Sequence, residues 1–368
     1  MIIGIDARPL SYYFAGIGHY LLNILDVLQR LDQENTYYLV SNKKINYRPE
    51  NPRWHKIEGR AGRKLLSSLW MQVFVPGFAR RYRFDIFWGP RHHLPLLMSK
   101  RVKRVVTVHD LVHLRYPETM KPANLILERI LMKRSLETAD AVIAVSQASA
   151  LDVTGFYRKV DPKRIHTIYS GVPQWPEGQD DADFIRTLPP YYFLFVGTME
   201  PRKNIAGIIS AFERLPPEAY DGYLIIVGET GWKINELKAC LRNPKLGDRI
   251  ILKGYIPRRH LKGLYQNAAC LVFPSFYEGF GFPILEAMAF GTPVITSNTA
   301  SMKEIAGDAA LLVDPYRVED IAGAMRRIIG DAELRSRLNR EAASRLPLFS
   351  WQKCAEALME IFYRVCSH

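Results

Sequence analysis

Short apolar runs rich in β-branched and aromatic residues alternate along this chain with longer segments of helical period. Strands joined by helix-length connections pair in parallel, and a parallel sheet needs helices on both faces. The candidate strands of the first half are Ile2–Asp6, Tyr37–Ser41, Asp85–Trp88, Val105–His109, Ala141–Val145 and His166–Tyr169. Those of the second half are Tyr192–Val196, Tyr223–Val227, Ile250–Lys253, Cys270–Pro274, Pro293–Thr296 and Ala310–Val313. With 368 residues the chain exceeds the roughly 250–300 that one hydrophobic core accommodates, so two domains are expected. Residues 171–190 are rich in Pro, Gly and Asp and lack any period, which places the join there. The expected organisation is a doubly wound α/β domain over 1–172, a linker at 173–190 and a second such domain over 191–349. Ser350 then offers an N-cap to an amphipathic helix whose Trp351, Cys354, Leu358, Ile361 and Phe362 fall at helical spacing.

No apolar run approaches the ~20 residues that span a bilayer. Met1–Leu10 lacks the basic leader and long apolar core of a signal peptide, so a cytoplasmic location is expected. Cys240, Cys270, Cys354 and Cys366 are scattered and read as reduced thiols, not a disulfide frame or a zinc site. The net charge of +13 belongs to the first half: residues 1–170 hold 27 basic and 14 acidic residues, whereas residues 171–368 hold 23 of each. Within that half, residues 53–104 carry 13 basic against 2 acidic residues. Such asymmetry points to an anionic partner (nucleic acid, anionic membrane or phosphorylated acceptor) or to a solvated basic face. Residues 59–83 place cations at both ends of an apolar middle containing Trp70, Phe74 and Phe78. That pattern fits an interfacial helix drawn to anionic lipid, or a buried helix with basic ends.

The densest chemistry lies in PSFYEGFGFPILEAMAFGTPVI, residues 274–295. A buried strand ends at Pro274, and Pro283 suits a first helical turn, where its missing N–H is an orphan anyway. Glu278 therefore falls on the loop at a strand's carboxyl end, and Glu286 about one turn into the helix. Ligands of open α/β sheets bind outside the carboxyl ends of strands, and amides at a helix start favour an anion. Glu286 by itself also reads as a cap or dipole partner.

FLFVGTMEPRKN, residues 193–204, brings Gly197 and the adjacent cations Arg202 and Lys203 to another strand end. Fixed cations beside helix amides suit a diphosphate, whose departure builds negative charge. VVTVHDLVHLRYPE, residues 105–118, delivers His109 and Asp110 to a third strand end. His109 reads as a site histidine or as one that satisfies loop backbone. Gly16-Ile17-Gly18 permits close backbone approach to a phosphate, but lies too far past the first strand for a dinucleotide fingerprint. Two metal-like patterns are set aside. Asp181-Ala182-Asp183 sits in the linker among other acids, and His92-His93 stands beside Arg91 without a third ligand at metal spacing. No essential metal is expected.

These motifs resemble those of the retaining nucleotide-sugar glycosyltransferases of the GT-B fold, family 4. That signature is a Glu, seven residues and a second Glu, followed by Ala-Met-Ala-x-Gly-x-Pro-Val; Glu278, Gly279, Phe280, Gly281, Glu286, Ala287, Gly291, Pro293 and Val294 match it. The resemblance covers nearly the whole chain, with its specific motifs in residues 193–316. It implies two doubly wound Rossmann-like domains facing a cleft, with the C-terminal helix, residues 350–368, returning to the first domain. It implies that Gly197, Arg202 and Lys203 bind the nucleotide diphosphate. Glu278 would position the donor sugar beside Gly279, Phe280, Gly281 and Phe282, and Glu286 would hold the ribose hydroxyls. His109 would face the donor site, and Gly16 and Gly18 would point at the donor phosphates and the acceptor. The turn holding Tyr255 and Ile256 would bind the nucleobase.

One departure is that Thr198 follows Gly197, where many members have Arg. The variant Val-Gly-Thr-x-Glu-Pro-Arg-Lys-Asn is typical of a branch containing mannosyltransferases of bacterial surface polysaccharide synthesis. The activity implied is retaining, metal-independent transfer of mannose from GDP-mannose to a lipid-linked or oligosaccharide acceptor, at the cytoplasmic face of the inner membrane. The catalytic set is Glu278, His109, Arg202 and Lys203, with donor in the second domain, acceptor in the basic first one, and closure at the hinge excluding water. Within the family, a UDP-sugar-dependent glucosyl or N-acetylglucosaminyl transferase is the alternative. An epimerase or phosphorylase on the same fold is another, although a phosphorylase would need a cofactor lysine and a far longer chain. A basic nucleic-acid-binding protein would show a recognised module or aromatic-basic interleaving. Neither is present, so no nucleic-acid partner is expected.

Overall fold

The computed structural model describes residues 1–11, 16–59, 67–175, 182–216, 220–231, 240–241 and 246–367. They divide into two compact units, Met1–Gly171 with Phe349–His368, and Val172–Leu348.

The first unit is built on the strands β1 (Ile2–Asp6), β2 (Thr36–Ser41), β3 (Trp54–Glu58), β4 (Ile86–Gly89), β5 (Lys103–Val108), β6 (Ala141–Ala144) and β7 (Ile165–Thr167). They form one sheet in the order β3-β2-β1-β4-β5-β6-β7, and every pairing is parallel. The direction of winding reverses between β1 and β4, which makes their carboxyl ends the switch point where such sheets bind ligands. The helices that matter below are α1 (Gly16–Leu31), α2 (Ser67–Arg81), α3 (Val112–Arg115), α4 (Pro122–Thr138) and α5 (Gln147–Phe156).

The second unit carries α6 (Ala182–Arg186), β8 (Tyr192–Val196), α7 (Ile205–Glu213), β9 (Tyr223–Val227), β10 (Ile250–Lys253), α8 (Arg258–Asn267), β11 (Cys270–Phe273), α9 (Phe282–Ala289) and β12 (Val294–Ser297). Then follow α10 (Ala300–Ala306), β13 (Leu311–Val313), α11 (Val318–Gly330) and α12 (Ala332–Arg345). Its parallel sheet has the order β10-β9-β8-β11-β12-β13, so the switch point lies between β8 and β11. The chain ends in α13 (Trp351–Cys366), a helix of the first unit that packs on α1. The Ser350 side chain accepts the Lys353 N–H and caps its start, while Trp351 and Phe362 meet the rings of Tyr20 and Trp88.

Three sequence expectations need correction. β3 was absent from them: an edge strand with one side in solvent keeps polar residues, and of Trp-His-Lys-Ile-Glu only Trp54 is buried. The segment expected to be an unstructured linker holds α6, where exposed Asp183 pairs with Arg186 at 3.3 Å; Asp181 lies outside the described residues. The third concerns residues 59–83, of which 60–66 lie outside the described residues. α2 turns Trp70, Met71, Val75 and Ala79 into the core, so Trp70 is a core residue and no lipid anchor. Its opposite face exposes Leu69, Val73 and Phe74.

Candidate functional site

At the second switch point, β11 ends at Phe273 and the chain turns through residues 274–281 into α9. Gly281 adopts φ 104°, a left-handed conformation that side chains resist, and this lets the turn enter the helix directly. Glu278 lies on that turn, nearly buried. Its two carboxylate oxygens are divided between two cations: Oε2 accepts from Arg202 Nη1 at 2.6 Å and Oε1 from Lys203 Nζ at 2.5 Å. Arg202 also donates to the Tyr277 carbonyl at 2.9 Å and pairs with Glu200 at 2.6 Å. Burial alone would raise the Glu278 carboxyl, but Arg202 and Lys203 outweigh it and hold the group at about 2. Burial, reinforced by the Arg202 charge, lowers the Lys203 ammonium, and Glu278 partly restores it.

The cations arrive on the neighbouring strand. β8 leads into Gly197 (φ 153°), then Glu200, Arg202 and Lys203 on a 3₁₀ turn, and Asn204 in the left-handed region begins α7. Asn204 Nδ2 ties this loop to the β11 loop through the Pro274 carbonyl at 3.1 Å, and to the loop after β13 through the Pro315 carbonyl at 2.7 Å. The Phe276 amide donates to the Arg202 carbonyl at 2.9 Å, closing a second link. Beside it a side chain at Gly228 would place its Cβ 2.0 Å from the Gly197 carbonyl, so only glycine fits where the β8 and β9 loops touch. The Gly228 amide reaches the Lys253 and Gly254 carbonyls, joining these loops to the turn after edge strand β10 that bears Tyr255 and Ile256. Tyr255 is exposed there.

Glu286, on α9, is set apart from this cluster. It accepts from the Tyr265 hydroxyl at 2.7 Å, and burial raises its carboxyl, offset by Tyr265 and Arg258. The Arg258 guanidinium stacks over the Trp175 ring at 4.4 Å, and Trp175 packs edge-on against Tyr265 and Phe290. The two glutamates of the motif therefore stand in different settings, one clamped by cations and the other by a phenol. Glu200, Tyr265 and Arg258 were missed as partners. Glu200 was legible, since it directly precedes Pro201-Arg202-Lys203, whereas no local pattern marks the other two.

In the first unit, His109 follows β5. Its Nε2 lies 2.8 Å from the Pro90 carbonyl, which can only accept, so Nε2 carries the proton and Nδ1 keeps its lone pair. Its own amide donates to His92 Nε2 at 3.0 Å. His92 sits at φ 55°, an uncommon conformation for a side-chain-bearing residue. Glu128 on α4 secures this loop, with Oε2 at 2.9 Å from His93 Nε2 and 3.7 Å from His92 Nδ1. The histidine pair thus does have an acidic neighbour, brought by a distant helix. Among the described residues no group of three His, Cys, Asp or Glu could hold a metal ion. Asp110 accepts the Val112 amide at 3.2 Å and orders the start of α3. Gly16 and Gly18 were expected to form a loop before the helix; both lie in the first turn of α1 instead.

Burial depresses His109 from 6.5 to about 4. The neutral ring is thus the form present above about 4, and the stability it contributes is lost as pH falls from 6.5 towards that value. NMR titration of the ring is expected to show a midpoint near 4, and the pH–rate profile no inflection from this group near neutrality. A midpoint near 6.5 would contradict the burial argument.

The profile described as "Glycosyltransferase Family 4" matches residues 14–174 and the one described as "Glycosyl transferases group 1" matches residues 179–345. The chain is 29% identical over 374 residues to the O-antigen chain mannosyltransferase B of Escherichia coli, covering 94% of this chain and 95% of that one. It is 31% identical over 253 residues to the O-antigen chain mannosyltransferase RfbU of Salmonella typhimurium, covering 68% and 67%. Among solved structures, a sucrose-phosphate synthase from Thermosynechococcus elongatus superposes with a TM-score of 0.81 at 20% identity, over 100% of this chain and 99% of that one. At that identity the likeness concerns the fold, which is GT-B.

Proposed function

This chain belongs to the family 4 glycosyltransferases, and from that premise we propose that it transfers mannose from GDP-mannose to a lipid-linked saccharide in cell-surface polysaccharide synthesis. The observation that carries the reading is the buried Arg202–Glu278–Lys203 cluster at the switch point of the second unit. Lys203 has committed one of its three N–H donors to Glu278, leaving two for the oxygens of a diphosphate. Glu278 orients the donor sugar while keeping both cations charged and in place. Glu286, with Tyr265, holds the ribose hydroxyls, and the turn at Tyr255 and Ile256 takes the base.

In the reaction the bond between the anomeric carbon and the diphosphate oxygen breaks, and one to the acceptor hydroxyl oxygen forms on the same face, so configuration is retained. The acceptor's proton must go to a base. Glu278 at about 2 and His109 at about 4 are weak ones, whereas a phosphate oxygen has a second pKa of about 6. The departing diphosphate therefore takes the proton, and no side chain acts as nucleophile. His109 contributes the Nδ1 lone pair as an acceptor for a sugar hydroxyl. Arg202 and Lys203 supply the charge stabilisation that a metal provides elsewhere, so transfer persists in a chelator.

The test is a panel of sugar nucleotides read by thermal stabilisation and by slow donor hydrolysis. GDP-mannose at about 100 times its Kd is expected to add about 2.7 kcal/mol of stability. A larger shift with a UDP-sugar would replace the mannose assignment by the glucosyl or N-acetylglucosaminyl alternative. Hydrolysis that vanishes in chelator would sink metal independence.

A further inference from the structure

One face of the first unit carries exposed apolar side chains that have no part in the proposed transfer. After β4 the chain does not form a helix but runs across the sheet as a loop, residues 90–102. Its inner side chains Leu94, Met98 and Val102 share one core cluster with Trp70, Met71 and Val75 of α2 and with Met132 and Leu136 of α4. Polar bonds fix it on both sides. Gln72 of α2 donates to the Leu94 carbonyl at 3.1 Å and accepts the Leu96 amide at 2.7 Å, while Ser135 of α4 accepts the Leu94 amide at 2.8 Å. α2, this loop and α4 therefore form one continuous layer.

The outward side of that layer is apolar. Leu97 is 81% exposed, Ile126 60%, Val73 58% and Ile130 57%, with Leu69 and Phe74 beside Val73 on α2. An exposed helix face ordinarily carries polar residues, and large contiguous apolar patches mark contact sites. Cations accompany the patch: Arg80 and Arg81 close α2, Lys100 and Arg101 follow Leu97, and Lys133 and Arg134 follow Ile130; all six are exposed. The acids of these three elements are Glu128, bonded inward to His93, and Glu137. Aliphatic residues within a positive field complement an anionic bilayer, where side chains enter the acyl boundary and cations meet headgroup phosphates.

We propose that this face docks on an anionic lipid bilayer, through Leu97, Val73, Ile126 and Ile130 and not through Trp70. The inference deepens the lipid-linked acceptor reading and is tested independently of it. The full chain is sedimented with phosphatidylcholine vesicles, with and without phosphatidylglycerol. Binding is expected only with the anionic lipid and is expected to weaken as salt rises. Leu97→Asp with Ile130→Asp should reduce partitioning by about tenfold or more, because each removes exposed apolar surface that would be buried in lipid. Lys133→Glu with Arg134→Glu should reduce it at low salt. Both variants should melt and hydrolyse donor as the parent does, since all four side chains are exposed. Undiminished vesicle binding by the aspartate variant would overturn the proposal. A parent chain that is dimeric, and becomes monomeric in that variant, would overturn it in favour of a second copy. Vesicle binding with no sugar transfer to any acceptor would instead count against the proposed function alone.

Discussion

Replacing Arg202 and Lys203 together by alanine is expected to lower kcat by on the order of a thousandfold or more, since removing one fixed donor from a developing oxyanion costs on the order of 10²–10³. The same variant should show an inverted pH dependence of stability at one group. In the parent, the carboxyl of Glu278 is depressed from 4.5 to about 2, so its contribution is complete above 4.5 and lost as pH falls towards 2. Without the cations, burial is the dominant influence and pushes the carboxyl above 4.5. The folded state then gains protons more readily than the unfolded one, and the variant recovers stability as pH falls through the raised value. Urea unfolding of both proteins at pH values from about 7 down to about 5 measures this. The stability gap should be widest at neutral pH and narrow on acidification. A constant gap, or parent-like turnover, would remove the cluster from the mechanism.

The second large effect is expected from Glu278→Gln. The amide keeps the shape but leaves the Lys203 ammonium, already lowered by burial, without its counter-charge. Breaking one side of a buried ion pair costs about 3–5 kcal/mol, because an uncompensated charge stays in a poor dielectric. Turnover should fall as well, since the cations lose the carboxylate that aims them. Emptying the whole cluster is different: Arg202→Met, Lys203→Met, Glu278→Leu and Glu200→Leu combined should cost less stability than Glu278→Gln alone, because no charge is left buried without a partner, while activity stays lost. Unfolding free energies that simply add across these variants would mean that the groups do not act as one unit.

Much of the fold was legible along the chain. The β-branched and aromatic runs that became β1, β8 and β9 were bounded as the structure has them, because strands buried on both faces keep a continuous apolar signal; edge strand β10 was bounded too, because its Ile250-Ile251-Leu252 run is apolar although Leu252 is exposed. The edge strand β3 gave no such signal, having one side in solvent. Strand ends elsewhere moved by a residue or two, as for Val105–His109 against Lys103–Val108, where pairing with β4 and not hydrophobicity sets the limit. Gly16-Ile17-Gly18 reads as a phosphate-approaching turn before the helix, yet packing of the following apolar face of α1 carries the helix through it.

The site divides in the same way. That Glu278, Gly197, Arg202 and Lys203 lie at strand carboxyl ends followed from where the apolar runs stop, since turn chemistry and hydrophobic period act between near neighbours. Their meeting did not follow. Arg202 and Glu278 are 76 residues apart and touch only because the sheet order sets β8 beside β11. Likewise Glu128 reaches His93 across 35 residues, and α2 could be read as buried or interfacial until packing chose Trp70 for the core and Val73 for the outside. Sequence alone determined the alternation of elements, the two units and the residues offered at their loop ends. Only the tertiary structure decided which of those residues share a charge, because partner choice depends on strand order and packing, and these couple positions that no local pattern connects.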